Sequence, residues 1–185
     1  MGNLMFAEDY MIVGDSGSMV AVDDNALRAN IRSRFQQAVL DGDAYSWACL
    51  TMDPAAGATI FALENNDTAR TLYIQSIILS SDTATRAHVF SASGITVAGT
   101  TGVTGVNINR SSGNLAQATA ITLETGQNEA ATSWPNALYR VYLGVDIPLT
   151  LNVEGAIALP NDHLIAVDYV ADVAAANVSF IGWYE

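Results

Sequence analysis

From Ala44 onward the chain is a succession of short runs rich in Val, Ile, Leu and Tyr, each cut off by Gly, Asn, Asp or Pro. The runs are AYSWACLTM, ATIFALEN, RTLYIQSIILS, RAHVFSAS, AQATAITLE, ALYRVYLGVDIPLTLN, AIALP, HLIAVDYVA and NVSFIGWYE. Segments of this length, bounded by turn formers and rich in β-branched residues, read as strands. No window after residue 45 carries the 3.6-residue period of a helix. Strands without interleaved helices bury their apolar faces against one another, so the expected class is all-β and antiparallel, a sandwich or a barrel.

Two runs carry more detail. LYIQSIILS is apolar on both faces around Ile77, Ile78 and Leu79, which fits a central strand or one lying under a partner subunit. In VEGAIALPNDHLIAVDYV a short strand ends in Leu-Pro. A polar turn follows, and the next strand alternates Leu164, Ala166, Asp168 and Val170 against Ile165, Val167 and Tyr169. Many jelly rolls place such a turn before a late strand. GITVAGTTGVTGVNINRSSGN is rich in Gly, Thr and Asn and reads as a long loop with room for a short strand.

The segment before Ala44 is less regular. Residues 1 to about 22 have no clear period and are expected to form an arm. The domain division expected is therefore 1–40 for an extended N-terminal segment and 41–185 for the sandwich. Within DDNALRANIRSRFQQAVLDGD two periods coexist. Leu27, Ile31, Phe35 and Val39 fall four apart, as on a helix. Leu27, Ala29, Ile31, Ser33, Phe35, Gln37 and Val39 also share one face of a strand, with Arg28, Arg32 and Arg34 on the other. Pattern alone does not choose between them.

Composition limits the partners. All seven cationic residues are Arg, there is no Lys, and 19 acids bring the net charge to -12. Such a chain has no basic stripe to displace counterions from phosphates, so no nucleic acid is expected as a partner. Anionic lipid repels it as well, and no apolar stretch reaches the roughly 18 residues of a membrane span, so no membrane is expected either. The single cysteine, Cys49, allows neither an internal disulfide nor a thiolate zinc cluster, and reads as a small buried hydrophobe. The N-terminal stretch has no basic segment of the kind a secretion signal needs, so none is expected.

The motifs that resemble chemistry fail on context. GDSGS at 14–18 looks like a serine-protease nucleophile loop, but His and Asp would have to precede it and there is no room. GTTGVTG at 99–105 has neither a following helix nor a lysine, both usual in a phosphate cradle. His88 and His163 lack a second ligand at metal spacing, and read as a strand residue and a turn residue. The acids are dispersed. No catalytic residue, cofactor or metal is expected. Trp134, beside a proline at a strand entrance, and Trp183, in the C-terminal run, are either core residues or interface anchors.

The chain resembles structural proteins of tailed bacteriophages at a set of short motifs. Val22, Asp23, Asn25 and Leu27 match a V-D-x-x-N-x-L-type opening, here one residue shorter. Gly42, Asp43, Ala44 and Tyr45 match a G-D-A-Y turn into the first sandwich strand. Leu63, Asn65 and Asn66 close one strand, and Leu72, Ile74 and Ile77 open the next. The late L-P-N-D-H-L-I-A-V turn is also similar. The resemblance covers about two-thirds of the chain. It implies a jelly-roll body with an extended first segment, so residues 26–39 are expected as strand. It also implies a non-enzymatic virion protein, of the capsid decoration (cement) type, made in the host cytoplasm and placed on the outer face of the head. The implied partners are the major capsid protein and further copies of the chain, as a homotrimer. Contacts are then expected from the arm, from the 95–114 loop, and from Arg28, Arg32, Arg34, Trp134 and Trp183. A tail or baseplate module that binds a receptor or carbohydrate is the alternative, because a fold does not decide function.

Overall fold

The structure, a computed structural model, describes residues 21–23, 26–28, 32–49, 51–54, 56–93, 101–122 and 137–185. The chain divides into two compact units, Met1–Ser33 and Arg34–Glu185. In the first, β1 (Ala21–Asp23) pairs antiparallel with β2 (Ala26–Arg28), Asp23 lying opposite Ala26.

The second unit opens with α1 (Arg34–Asp41) and continues through strands β3 (Ala44–Ala48), β4 (Thr59–Asn65), β5 (Leu72–Ser81) and β6 (Thr85–Ser93). Then come β7 (Thr101–Val103), β8 (Val106–Asn107), β9 (Ala118–Thr122), β10 (Ala137–Leu143), β11 (Leu149–Leu159), β12 (His163–Tyr169) and β13 (Ala176–Tyr184). They form a five-stranded sheet, β11-β5-β13-β3-β8, and a six-stranded sheet, β10-β6-β12-β4-β9-β7. Every described pairing between these strands is antiparallel.

The order of the long strands identifies the architecture. Taken in sequence, the first pairs with the last (β3 with β13), the second with the second last (β4 with β12), the third with β11 and the fourth with β10. This is one long antiparallel ribbon rolled into two sheets, the jelly roll. The segment between β6 and β10 supplies the additions: β9 and β7 extend one sheet beside β4, and β8 extends the other beside β3. Of the two readings its two-sided apolarity allowed, the structure shows the first: β5 is central, between β11 and β13.

Alternation builds the core. Leu72, Ile74, Ile77 and Leu79 of β5 face Ile165, Val167 and Tyr169 of β12, with Trp47, Phe61 and Phe180 between the sheets. Phe61 and Phe180 stack at 5.4 Å. A smaller buried cluster, Ala62, Phe90, Leu164 and Ala166, lies on the opposite face of the six-stranded sheet.

Two expectations are corrected. Residues 34–41 are helix, not strand. Phe35, Ala38 and Val39 pack together against Ala44, Tyr73, Ile108 and Trp183, which a strand's alternation cannot do because it would put 38 and 39 on opposite faces. Gly42 ends the helix at φ 80. Its N–H donates to Val39 and that of Asp43 donates to Ala38, the paired bonds of a Schellman cap. The Gly-Asp pair at 42–43 is thus a helix stop. The second correction concerns the segments 137–152 and 156–160. The first is two strands parted by a turn at 144–148, and the second is the end of β11, which runs through a bulge at Glu154 (φ 48) and Gly155 (φ 80).

Candidate functional site

Of the residues expected to make contacts, the side chains of Arg32, Arg34 and Trp183 are described. Arg32 and Arg34 are exposed, and Arg34 forms a surface ion pair with Glu185 at 3.2 Å. Trp183 is buried: it stacks on Tyr73 at 5.4 Å and meets Phe35 edge-on, so its ring is committed to seating α1. Arg28 ends β2. Its side chain, Trp134, the arm as far as residue 20 and the GDSGS segment within it lie outside the described residues, as does the start of the 95–114 loop. The two histidines stand apart. His163 begins β12 opposite Ser93, with Nδ1 3.0 Å from the Asn161 carbonyl, the turn role expected for it. It is five residues, roughly 17 Å, along the strand from Asp168.

His88 has a partner that its sequence neighbours do not show. Ala87 and Val89 point into the core, so His88 points out of the sandwich. Ile165, Val167 and Tyr169 likewise point in, so Asp168 points out. Asp168 is the direct cross-strand neighbour of His88 on β6 and of Thr59 on β4. Arg140 on β10 lies opposite His88. One row therefore reads Arg140, His88, Asp168, Thr59 across four strands. His88 Nδ1 is 3.4 Å from Asp168 Oδ1, within ion-pair reach but not aligned as a hydrogen bond. Asp168 Oδ1 and Thr59 Oγ1 are both buried with no hydrogen-bond partner among the described residues.

Burial governs the charge state of this row. It pushes the Asp168 carboxyl up to about 7, against a smaller downward pull from the backbone N–H groups of His88 and Asp168. Burial also holds the His88 imidazole below its ordinary value, helped by the Arg140 and Arg86 guanidiniums. A proton held between the two groups leaves both formally neutral, the cheapest state for a desolvated pair. Among the described residues no three His, Cys, Asp or Glu side chains converge to hold a metal ion.

The features suited to recognition lie at one end of the sandwich. The links β3–β4, β5–β6, β10–β11 and β12–β13 all fall there, as jelly-roll pairing requires: Ser81 pairs with Ala176, Leu143 with Thr85 and Tyr169 with Ala87. Backbone bonds tie three of them together. Asp146 N–H donates to Ser81, Val170 N–H to Arg86, and Ala171 N–H to Thr85 Oγ1. On this frame stand four large apolar side chains in solvent: Tyr142 (71% exposed), Val145 (53%), Ile147 (64%) and Val170 (45%). Arg86 lies over the Tyr142 ring at 5.0 Å and donates to its hydroxyl at 3.3 Å.

Asp168 and this apolar end were not among the expected site residues. A lone carboxylate inside the apolar strand HLIAVDY was the available signal for the first. For the second, GVDIP carries two exposed apolar residues in what pattern alone reads as strand.

Compared with known proteins, the chain matches no protein-family model, no curated protein and no solved structure.

Proposed function

We propose that this chain is a non-enzymatic structural protein of a tailed-phage virion, a decoration or cement protein on the outer face of the head. It binds the major capsid protein and assembles with copies of itself, most naturally as a trimer. The observation that carries the reading is the placement of four exposed large apolar side chains on the tied loops at one end of a jelly roll. Exposed apolar residues gathered in one place mark an interaction site, whereas scattered ones need no explanation. The resemblance of its short motifs to those of phage structural proteins supports the major capsid protein as the partner. The net charge of -12 suits a surface facing away from packaged DNA. Many copies across a symmetric shell convert modest single contacts into firm attachment.

Immunogold labelling of intact virions with antibody to this chain tests the proposal. Gold spread over the head is the expected result. Gold confined to the tail tip transfers the chain to the second reading, a receptor- or carbohydrate-binding module. That reading has one observation of its own, the solvent-exposed Tyr142 ring with Arg86 beside it, a platform on which an acidic sugar can stack.

A further inference from the structure

We infer that the apolar end of the sandwich docks on a protein surface with an apolar centre and a cationic rim, and not on a second copy of this chain. This deepens the docking reading above and rests on it for the existence of a partner, but it is argued from charge and exposure alone. Around Tyr142, Val145, Ile147 and Val170 the end carries Asp53 on the β3–β4 link, Asp82 on β5–β6, Asp146 on β10–β11 and Asp172 on β12–β13. Its nearest described cations are Arg86, already over the Tyr142 ring, and Arg140, two residues before Tyr142 on β10, so the four aspartates outnumber them.

Two such ends brought face to face would set acid against acid, between chains that each carry -12. Like charges opposed across an interface suppress pairing, while Lys or Arg on a partner would be drawn to these aspartates. The apolar centre gives the burial and the aspartate collar selects the partner. Because Asp146, Val170 and Ala171 are already bonded to Ser81 of β5 and to Arg86 and Thr85 of β6, docking has little loop ordering to offset.

The test uses the full chain, labelled for amide NMR, and two short amphipathic peptides, one of Leu and Lys and one of Leu and Glu. The expected result is shifts confined to residues 142–147 and 170–172 with the Lys peptide, fading as salt is raised, and none with the Glu peptide. Val145→Asp combined with Ile147→Asp should weaken binding about tenfold or more. Asp146→Asn with Asp172→Asn should erase the preference between the peptides. Equal binding of the Glu peptide, or shifts centred elsewhere, overturns the inference. So does a concentration-dependent dimer in sedimentation that Ile147→Asp abolishes. Gold on the head together with such a failure would keep the virion reading and move its contact away from this end. Gold absent from every particle, with the expected shifts present, would do the reverse.

Discussion

His88 Nδ1 lies 3.4 Å from Asp168 Oδ1, across the adjacent strands β6 and β12, with the carboxyl almost wholly buried and the imidazole a quarter exposed. This pair makes the stability of the sandwich depend on pH from both sides. The Asp168 carboxyl titrates at about 7 in the fold and near 3.8 when unfolded. Between those values the folded chain holds the proton that the unfolded chain has lost, so this group removes stability as pH rises. The full effect by pH 8 is on the order of 4 kcal/mol. Asp168→Asn is therefore expected to be more stable than the parent at pH 8, with the gap closing toward pH 4, in urea unfolding followed across that range. His88 works in the other sense. Its folded value is depressed, so its contribution is lost as pH falls below about 6.5, and His88→Gln should flatten the acid side of the same profile.

Asp67 is a turn residue and an ion-pair partner at once. Its carboxylate accepts from the backbone N–H of Ala69 at 2.9 Å and of Arg70 at 3.1 Å, and from Arg70 Nε at 2.7 Å. Arg70 continues to Asp43 at 2.9 Å and lies over the Tyr184 ring. The Ala69 amide bond, and then the Arg70 guanidinium, hold the Asp67 carboxyl below its ordinary value against the upward push of burial. Its stabilisation is thus present above about pH 4 and lost as pH falls through the lowered folded value. Asp67→Ala should cost about 2 kcal/mol at pH 7 and progressively less in acid, measured by urea denaturation.

Gly155 sits at φ 80 in the β11 bulge, where an added Cβ would lie 2.5 Å from Cη2 of Trp183. Gly155→Ala combines a left-handed backbone with a ring that Tyr73 and Phe35 hold in place. The expected loss is about 3 kcal/mol, read as a lowered urea midpoint with the slope unchanged.

Phe35 contributes the largest side chain of the helix that packs in the small cluster around Trp183 and Tyr73. In Phe35→Ala the α1 amides should exchange with solvent much faster, while those of β5 and β13 keep their protection. Equal acceleration in both would mean that the helix is part of the global folding unit.

What the sequence disclosed follows from how locally each feature is encoded. Strands such as 72–81 and 163–169 are flagged by their own composition and turns. The all-β class and the central place of β5 were therefore legible, and the late turn before His163 also hinted at the roll. The helix was not, because residues 27–39 satisfy both periods and the deciding facts are distant: Trp183 and Tyr73 must be in place before Phe35, Ala38 and Val39 have a surface to cover. Asp168 and His88 are 80 positions apart and meet only through the register of β6 with β12. The exposure of Val145 and Ile147 is equally invisible to pattern, since apolar residues at a loop tip and on a core face are written with the same letters.

The nesting of the jelly roll sets the time at which this protein can exist during its own synthesis. Ala44 pairs with Trp183, and β13 fills the gap between β5 and β3. A chain still on the ribosome, with β13 not yet emerged, holds two strands with open edges and half a core without its cover. Folding must wait until β13 has emerged or be guarded until then, and pairing over such sequence distances is slow. A chain cut before residue 176 would accordingly be an aggregation-prone sheet and not a smaller sandwich.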